Sequence, residues 1–149
     1  MMKSASWSPL NNQQDVDILM KVFGRFHDSC IKQVFISPRE YVTKDLTMGF
    51  DNTSTVKILF QRQFRNASVI EIHFEEVEEM NWRHDNLSSD TGLTIIMEAV
   101  LQIENGLVYW AEDIDWLEAI DERNDFRWIA ARTVKWRTVE GALGQDYVN

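Results

Sequence analysis

The chain has 149 residues, of which 44% are hydrophobic and 26% are charged. This length fits one domain, and the hydrophobic fraction excludes an intrinsically disordered chain. With 24 acidic and 15 basic residues the formal net charge is −9, which disfavours general binding to nucleic-acid phosphates. We therefore expect a single domain over 1–149, with 1–11 as a loosely ordered tail, and no nucleic-acid partner.

Cys30 is the only cysteine, which excludes an intramolecular disulfide and a cysteine-based zinc site. We interpret it as a small buried residue at the start of a strand. Residues 1–14 lack the basic start and hydrophobic run of a secretory signal, and no segment has the roughly 18 consecutive apolar residues of a membrane helix. The sequence therefore predicts a cytoplasmic protein with no membrane partner, and we expect no cofactor.

An amphipathic helix is predicted near the N-terminus, because apolar residues recur there at helical spacing. Asn12 suits its N-cap, since the side-chain oxygen can accept a hydrogen bond from a free backbone N–H. Gly24 suits its end, and Trp7 and Leu10 are expected to fold over its first turn. The apolar stripe comprises Ile18, Leu19, Val22, Phe23 and Phe26.

Beyond the helix the hydrophobic period changes from about 3.6 to 2, which indicates β-strands. A short strand is predicted over 30–36. The alternating segments 55–64 and 70–75 follow, and the four residues 65–68, which join them, are typical of an antiparallel hairpin. The predicted pairs on its solvated side are Gln63 with Glu71 and Gln61 with His73.

A second hairpin is the clearest local signal in the chain. Alternation over 93–103 predicts one long strand, and a return strand follows over 107–112. Between them stands Asn105-Gly106, the pair that type I′ turns prefer because both positions need a positive φ. The predicted pairs, Ile103 with Val108 and Leu101 with Trp110, agree on the inward face.

A last strand is predicted over 126–138, and we expect its cations to pair with acids of adjacent strands. Six strand-like segments and one clear helix predict a mainly β (α+β) fold. We expect an antiparallel sheet of about six strands, as a meander, a sandwich or a partly open barrel, with the N-terminal helix packed on it. The predicted inward residues are Phe126, Trp128, Ala130, Val134 and Trp136, and the outward ones are Arg127, Thr133, Lys135 and Arg137.

The charge is distributed unevenly along the chain. Residues 71–125 contain sixteen acidic and two basic residues, a formal charge of −14, whereas the remainder carries +5. Acids cluster at 75–82 and at 112–122, either as a solvated face that keeps the protein soluble or as a docking surface for a basic protein. Tryptophans within both clusters suit a binding hot spot or the core. The candidate partner-binding residues are Glu75, Glu76, Glu78, Glu79, Trp82, Asp113, Asp115, Trp116 and Glu118.

Signs of metal chemistry are few. His27-Asp28 and His84-Asp85 resemble the metal-binding pairs of HD phosphohydrolases in a dipeptide only. Asp113 and Asp115 begin like a calcium loop, but the later ligand and the glycine of an EF-hand are missing. We therefore predict no metal site.

His73 lies between Glu71 and Glu75 on one strand face. Neighbouring carboxylates favour the imidazolium there, which suggests a pH-sensitive patch. No nucleophile elbow or phosphate-binding glycine loop is present, so no catalytic residues are assigned. His27, Asp28 and His73 remain as an alternative polar site.

Two short windows, 26–31 (FHDSCI) and 69–80 (VIEIHFEEVEEM), resemble small bacterial proteins of the polymorphic-toxin immunity type. The resemblance implies a non-enzymatic binder that neutralises a toxin by covering its active surface. The acidic segment is then the natural contact for a basic nuclease toxin.

The leading hypothesis is thus a protein-binding module with a basic protein partner. The alternative is a small-molecule-binding domain or an enzyme with a site near His27 and Asp28. A structural subunit that forms a homo-oligomer is the third.

Overall fold

The computed structural model describes residues 3–82, 95–113, 115–116 and 124–145. Within these ranges the fold is mainly β, with antiparallel strands and one α-helix, as the alternation predicts. In chain order the elements are β1 (Lys3–Ser4), β2 (Ser8–Pro9), α1 (Gln13–Val22), a 3-10 turn (Gly24–Phe26), β3 (Ser29–Ser37), β4 (Glu40–Val42), β5 (Met48–Phe50), β6 (Thr55–Arg62), β7 (Val69–Asn81), β8 (Ile95–Ile96), β9 (Val100–Glu104), β10 (Leu107–Ala111) and β11 (Trp128–Glu140).

Seven strands form a continuous path in the order β8-β3-β6-β7-β11-β10-β9. The long β11 pairs with β10, β2 and β1 in succession along one edge, so the described residues give a nine-stranded sheet rather than about six strands. β8 and β9 stand at opposite ends of the path, yet only residues 97–99 separate them in sequence. The sheet therefore curls into a half-barrel until its two ends meet at this connection.

The concave side of the curl is filled by α1 and by aromatic rings. The helix begins at its predicted cap, where Asn12 Oδ1 accepts a hydrogen bond from Asp15 N at 2.9 Å. Its end is tied to β6 by Arg62, which donates from Nη2 to Val22 O at 2.9 Å and from Nε to Ala67 O at 2.6 Å. The rings of Phe23, Phe26, Phe60 and Trp110 pack with centroids 5.0 to 6.4 Å apart.

Three predictions about the N-terminal region are wrong. Ile18, placed on the inward stripe, is 50% exposed, whereas Leu19 is fully buried. Residues 3–10 are not a loose tail, because β1 and β2 pair with β11. Leu10 is buried in the core as expected, but Trp7 lies on the opposite, convex side of the sheet, over the side chain of Arg137.

The β9–β10 hairpin has the predicted register. Asn105 and Gly106 both have positive φ, as a type I′ turn requires. Short-range turn chemistry is enough to define this pairing. The observed pairs are Ile103 with Val108 and Leu101 with Trp110.

The β6–β7 hairpin is shifted by four residues from its predicted register. Gln61 lies opposite Val69, and His73 lies opposite Lys57. The cause is the position of the turn: β6 ends at Arg62, so the pairing is centred on residue 65 instead of 67, and each residue of displacement shifts the register by two. Because the shift is even, the inward face is unchanged.

The strand predicted over 93–103 is interrupted, and residues 93–94 lie outside the described residues. Between β8 and β9 the alternation reverses: Ile96 is buried, while Ile95 and Met97 are 57% and 67% exposed. The reversal occurs because the chain changes its pairing partner here: β8 pairs with β3, whereas β9 pairs with β10.

β11 has two halves of different phase. Ala131 and Val134 both contact the inner core although they are three residues apart, so the alternation of β11 breaks between them. Trp128 and Ala130, predicted to face inward, therefore pack on the convex side in a separate small cluster. Close by, a β-bulge places one extra residue of β7 between the partners of Ala130 and Ala131. The inner core receives Ile129, Ala131, Val134 and Trp136.

Candidate functional site

The first acidic cluster lies on the part of β7 that extends past β6. Val56, near the start of β6, lies opposite Phe74, and Val77 N donates to Ser54 O at 3.1 Å. Among the described strands, β7 then continues to Asn81 against β11 only. We call this stretch the acidic half of β7, which comprises Glu75, Glu76, Glu78 and Glu79.

Cations of β11 neutralise two of these four carboxylates. Glu75 Oε1 lies 3.0 Å from Lys135 Nζ, and Glu78 Oε1 lies 2.6 Å from Arg132 Nε. The expectation that the basic face of the last strand pairs with acids of an adjacent strand is met here. A small part of the charge asymmetry of the sequence is thereby cancelled within the sheet.

Glu76 and Glu79 remain exposed. Glu76 Oε1 accepts a hydrogen bond from Thr133 Oγ1 at 3.0 Å, and no cation of the described residues forms an ion pair with either carboxylate. Trp82, from the same predicted surface, is partly buried against the core, with the Arg127 guanidinium 5.5 Å from its ring centroid. Among the described residues, this candidate surface therefore has two carboxylates without an ion-pair partner, whereas its indole is partly covered.

The second acidic cluster is largely structural where it is described. Glu112 Oε2 accepts a hydrogen bond from Arg127 Nε at 2.8 Å, and Arg127 is only 4% exposed. Trp116 is fully buried and packs on Trp128 with centroids 5.0 Å apart. Trp116 is therefore a core residue and not an accessible contact.

A turn carries two more candidates of the second cluster. Asp113 Oδ1 accepts a hydrogen bond from Asp115 N at 2.7 Å, and Asp115 is exposed. Glu118 lies outside the described residues.

His27 lines a shallow depression next to the start of β3, and Asp28 follows it in the chain. His27 Nε2 is 3.4 Å from Asp28 Oδ2, and its Nδ1 is 2.7 Å from Met97 O. Because carboxylates predominate among its polar groups, this depression suits a cationic group. Its volume is about 370 Å³, and its lining consists of His27, Met97, Glu98, Glu112 and Asp113.

His73 is not part of that depression. It lies opposite Lys57 on β6, and Phe35 of β3 lies opposite Lys57 on the other side. The depression lies near Ser29, at the start of β3, and Ser29 is six residues from Phe35. At the usual rise of a strand this places the depression roughly 20 Å from His73. The structure thus does not bring the three members of the alternative polar site together.

His73 lies instead in a charged cluster on the convex face. Glu71 is 2% exposed, with Lys57 Nζ 3.8 Å from its Oε1 and Arg137 Nη2 3.4 Å from its Oε2. The Trp7 ring covers this cluster, its centroid 4.1 Å from the Arg137 guanidinium carbon and 5.9 Å from the His73 ring centroid. Glu71 Oε1 and Arg137 Nε are buried and have no hydrogen-bond partner among the described residues.

Burial reverses the protonation behaviour expected of His73. Loss of solvent lowers its pKa below the ordinary histidine value, and this outweighs Glu75 and Glu71, whose charges act in the opposite sense. Lys135 and Lys57 lower the pKa further. From sequence, the neighbouring carboxylates favour a protonated His73. In the structure their effect on its pKa is offset by burial and by two cations from the neighbouring strands.

Two further chemical possibilities find no support in the described part of the chain. Burial raises the pKa of the Cys30 thiol, which disfavours the nucleophilic thiolate. No group of three His, Cys, Asp or Glu side chains among the described residues is placed to hold a metal ion.

Sequence reasoning missed an exposed apolar surface on the β4–β5 hairpin. Leu46 at its tip is 85% exposed, and Val42, Met48 and Phe50 are 59 to 63% exposed. The signal was present in the segment YVTKDLTMGF, where short apolar pairs flank a polar turn, but neither strand is long enough for alternation to be recognised. The surface continues onto the end of β3 through Phe35 and Ile36.

Comparison with known proteins returns no relative. No protein-family model matches the chain, and no curated protein or solved structure is significantly similar to it. None of the described helical segments has the length and hydrophobicity needed to cross a bilayer. Inferences about function therefore rest on the surface itself.

Proposed function

We propose that this chain is a non-enzymatic protein-binding module whose partner is a basic protein. The observation that carries the proposal is the placement of Glu76 and Glu79, which are exposed and without an ion-pair partner among the described residues. Both lie where β7 extends past β6. Carboxylates in such a position attract a cationic partner, raise its association rate and disfavour acidic competitors.

The filled interior supports a function at the surface. Curled sheets can hold a ligand inside, but the concave side of this one is occupied by fully buried side chains such as Phe60 and Trp110. Binding then has to use the outside of the molecule, where the exposed charges and apolar side chains lie.

The resemblance to immunity-type proteins is compatible with this proposal. An immunity-type protein acts by covering the active surface of a toxin, and a nuclease toxin presents cations that bind phosphates. Glu76 and Glu79 are suited to contact such cations, so a basic toxin is the partner class that we propose first.

The test combines capture with kinetics. The tagged chain captures proteins from a lysate of its source cells, and each captured protein is identified and purified. Its association rate is measured at about 0.02 M and 0.3 M salt, on either side of the usual screening range. For a basic partner we expect the rate to fall about tenfold with salt, and the double variant Glu76→Gln with Glu79→Gln to lower it about fivefold at low salt.

The matched control removes the same charge elsewhere. Asp17 on α1 and Glu140 at the end of β11 are exposed, and the double variant Asp17→Asn with Glu140→Gln should change the rate less than twofold. A salt-independent rate, or equal effects of the two double variants, contradicts the proposal.

A second candidate function is recognition of a small cationic ligand by the depression at His27. Glu98 and Asp113 line the same cavity, which favours an ammonium or guanidinium group. The probe is arginine methyl ester, titrated while amide and imidazole NMR signals are recorded. Saturable shifts at His27 and Met97 support this function, and shifts spread over all exposed acids oppose it.

A further inference from the structure

The β4–β5 hairpin is an ordered projection with its own internal bonds. Thr43 Oγ1 and Thr47 Oγ1 are 2.7 Å apart, and Thr43 N donates to Thr47 O at 2.8 Å. At the base, Asp51 N donates to Arg39 O. Two isolated strands are marginally stable in water, so these bonds are needed to hold the hairpin's shape.

Both faces of the hairpin carry apolar side chains. Paired residues point to the same side of a sheet, so Val42 and its partner Met48 share one face, and Phe50 lies on that face too. Tyr41 lies on the other face, over Gly49, where a Cβ would come within 2.6 Å of the tyrosine ring. A flat partner would cover one face only, whereas the walls of a cleft would cover both.

Leu46 at the tip has a φ of 64°. This left-handed conformation is unfavourable for a leucine, by about 1 kcal/mol relative to glycine, and its side chain is 85% exposed. Neither solvation nor backbone energy favours a leucine there. An apolar residue held at a strained, exposed tip is typical of a contact residue.

The surrounding charge indicates what kind of partner the hairpin meets. Its acids Glu40, Asp45 and Asp51 outnumber Arg39 and Lys44. The acidic half of β7 lies at the same end of the sheet, since Ser54, three residues after the hairpin, bonds to Val77 of β7. Anionic lipid surfaces attract basic segments and repel such a surface, whereas a basic protein complements it.

We propose that the β4–β5 hairpin inserts into an apolar cleft of a basic partner protein, with Leu46 entering first and the acidic half of β7 meeting cations at the cleft's rim. The inference rests on the proposed function and adds to it the element that contributes most of the binding energy. Apolar anchors in a desolvated pocket dominate most interfaces, while rim charges mainly set the association rate.

The first experiment places a photo-crosslinking residue, benzoylphenylalanine, at position 46 of the full chain in its source cells. The matched control places it at position 104, where Glu104 is exposed beside the turn of the β9–β10 hairpin. We expect an adduct with a basic protein from position 46 and not from position 104. Adducts with lipid, adducts with a second copy of this chain, or no specific adduct overturn the inference.

The second experiment measures Kd for the cross-linked protein after purification. Leu46→Asn removes the apolar side chain while suiting the left-handed backbone, so the variant should melt no lower than the parent. We expect its Kd to rise about thirtyfold or more, as for a central anchor. Ile18→Gln, which changes a half-exposed apolar residue on α1, should leave Kd within twofold.

The two proposals fail in different ways. If Leu46→Asn binds with the parental Kd while salt and the Glu76 and Glu79 variants still slow association, the hairpin inference is overturned and the proposed function stands. If association does not respond to salt or to those variants, the proposed function is overturned.

Discussion

Each face of the central strands has a side chain that is almost fully buried, and the means of burial differ. On the concave face Phe60 is fully buried among other aromatic rings. On the convex face Glu71, which lies opposite Leu59 next to Phe60, is 2% exposed. Apolar contact covers Phe60, whereas the side chains of Lys57 and Arg137 and the ring of Trp7 surround Glu71.

This difference shows how one sheet can be buried on both sides with a single helix packed against it. Long basic side chains have apolar stems, so they can cover a strand while their charged ends reach a carboxylate or water. The convex face is thereby closed without a second layer of helices. Its contacts should be individually weaker than those of the concave face, because they are closer to solvent.

The largest effect should come from Phe60→Ala. The substitution leaves a cavity between the rings of Phe23, Phe26 and Trp110, and such changes cost about 4 kcal/mol of unfolding free energy. Chemical denaturation monitored by tryptophan fluorescence measures this. A loss below about 1 kcal/mol would show that the concave side is loosely packed.

A smaller loss of unfolding free energy is expected from Glu71→Ala. Removing the carboxylate leaves Lys57 and Arg137 close together on the convex face, but both retain partial access to solvent. We expect the free energy of unfolding to fall by about 2 kcal/mol, which is less than the cost of removing one partner of a fully buried ion pair. Glu71→Gln keeps an oxygen for Arg137 and should lose less. If the Glu71→Ala and Glu71→Gln variants are both as stable as the parent, the carboxylate does not stabilise this face.

Trp7→Ala should have a still smaller effect. It removes the ring that lies over Arg137 and Lys135, at 4.1 and 5.1 Å from the centroid, and should cost about 1 kcal/mol. Amide hydrogen exchange should rise in β2 and in the part of β11 paired with it. Unchanged exchange there would show that the N-terminal strands are held by backbone bonds alone.

The smallest effect is a pH dependence from His73. Because burial lowers the pKa of the folded form, the unfolded chain binds the proton first as pH falls. The stabilisation from neutral His73 is complete above the unfolded value of about 6.5 and is lost as pH falls through the folded pKa. His73→Gln should flatten this part of the stability profile.

The outcome that would contradict the assignment to His73 is a stability profile whose slope below about pH 6.5 is the same in His73→Gln as in the parent.

Prediction from sequence succeeded where the deciding interactions are local. The Asn12 cap needs only a residue three positions away, and the Asn105-Gly106 turn fixes its own hairpin. It failed at the β6–β7 connection, because a turn centred two residues earlier than predicted shifts the pairing by four. It also failed at Trp128, since the break in the alternation of β11 that turns this side chain outward lies where β11 pairs with β7.

The candidate site was predicted only in part, for the same reason. A carboxylate such as Glu78 contributes negative charge in a sequence count, but its pairing with Arg132, 54 positions away, depends on the sheet. The burial of Trp116 and the exposure of Leu46 likewise depend on what the tertiary structure places beside them.

The sequence by itself determined an antiparallel, mainly β chain with one capped helix and one hairpin in a defined register, because periodicity and turn chemistry act over a few residues. Only the tertiary structure decided which acids keep their charge uncompensated, which tryptophans are core, and that β4–β5 projects with an apolar tip. These properties depend on the order and curvature of strands that are distant in sequence. A side chain's burial, charge compensation and strain are defined only once its neighbours in the fold are in place.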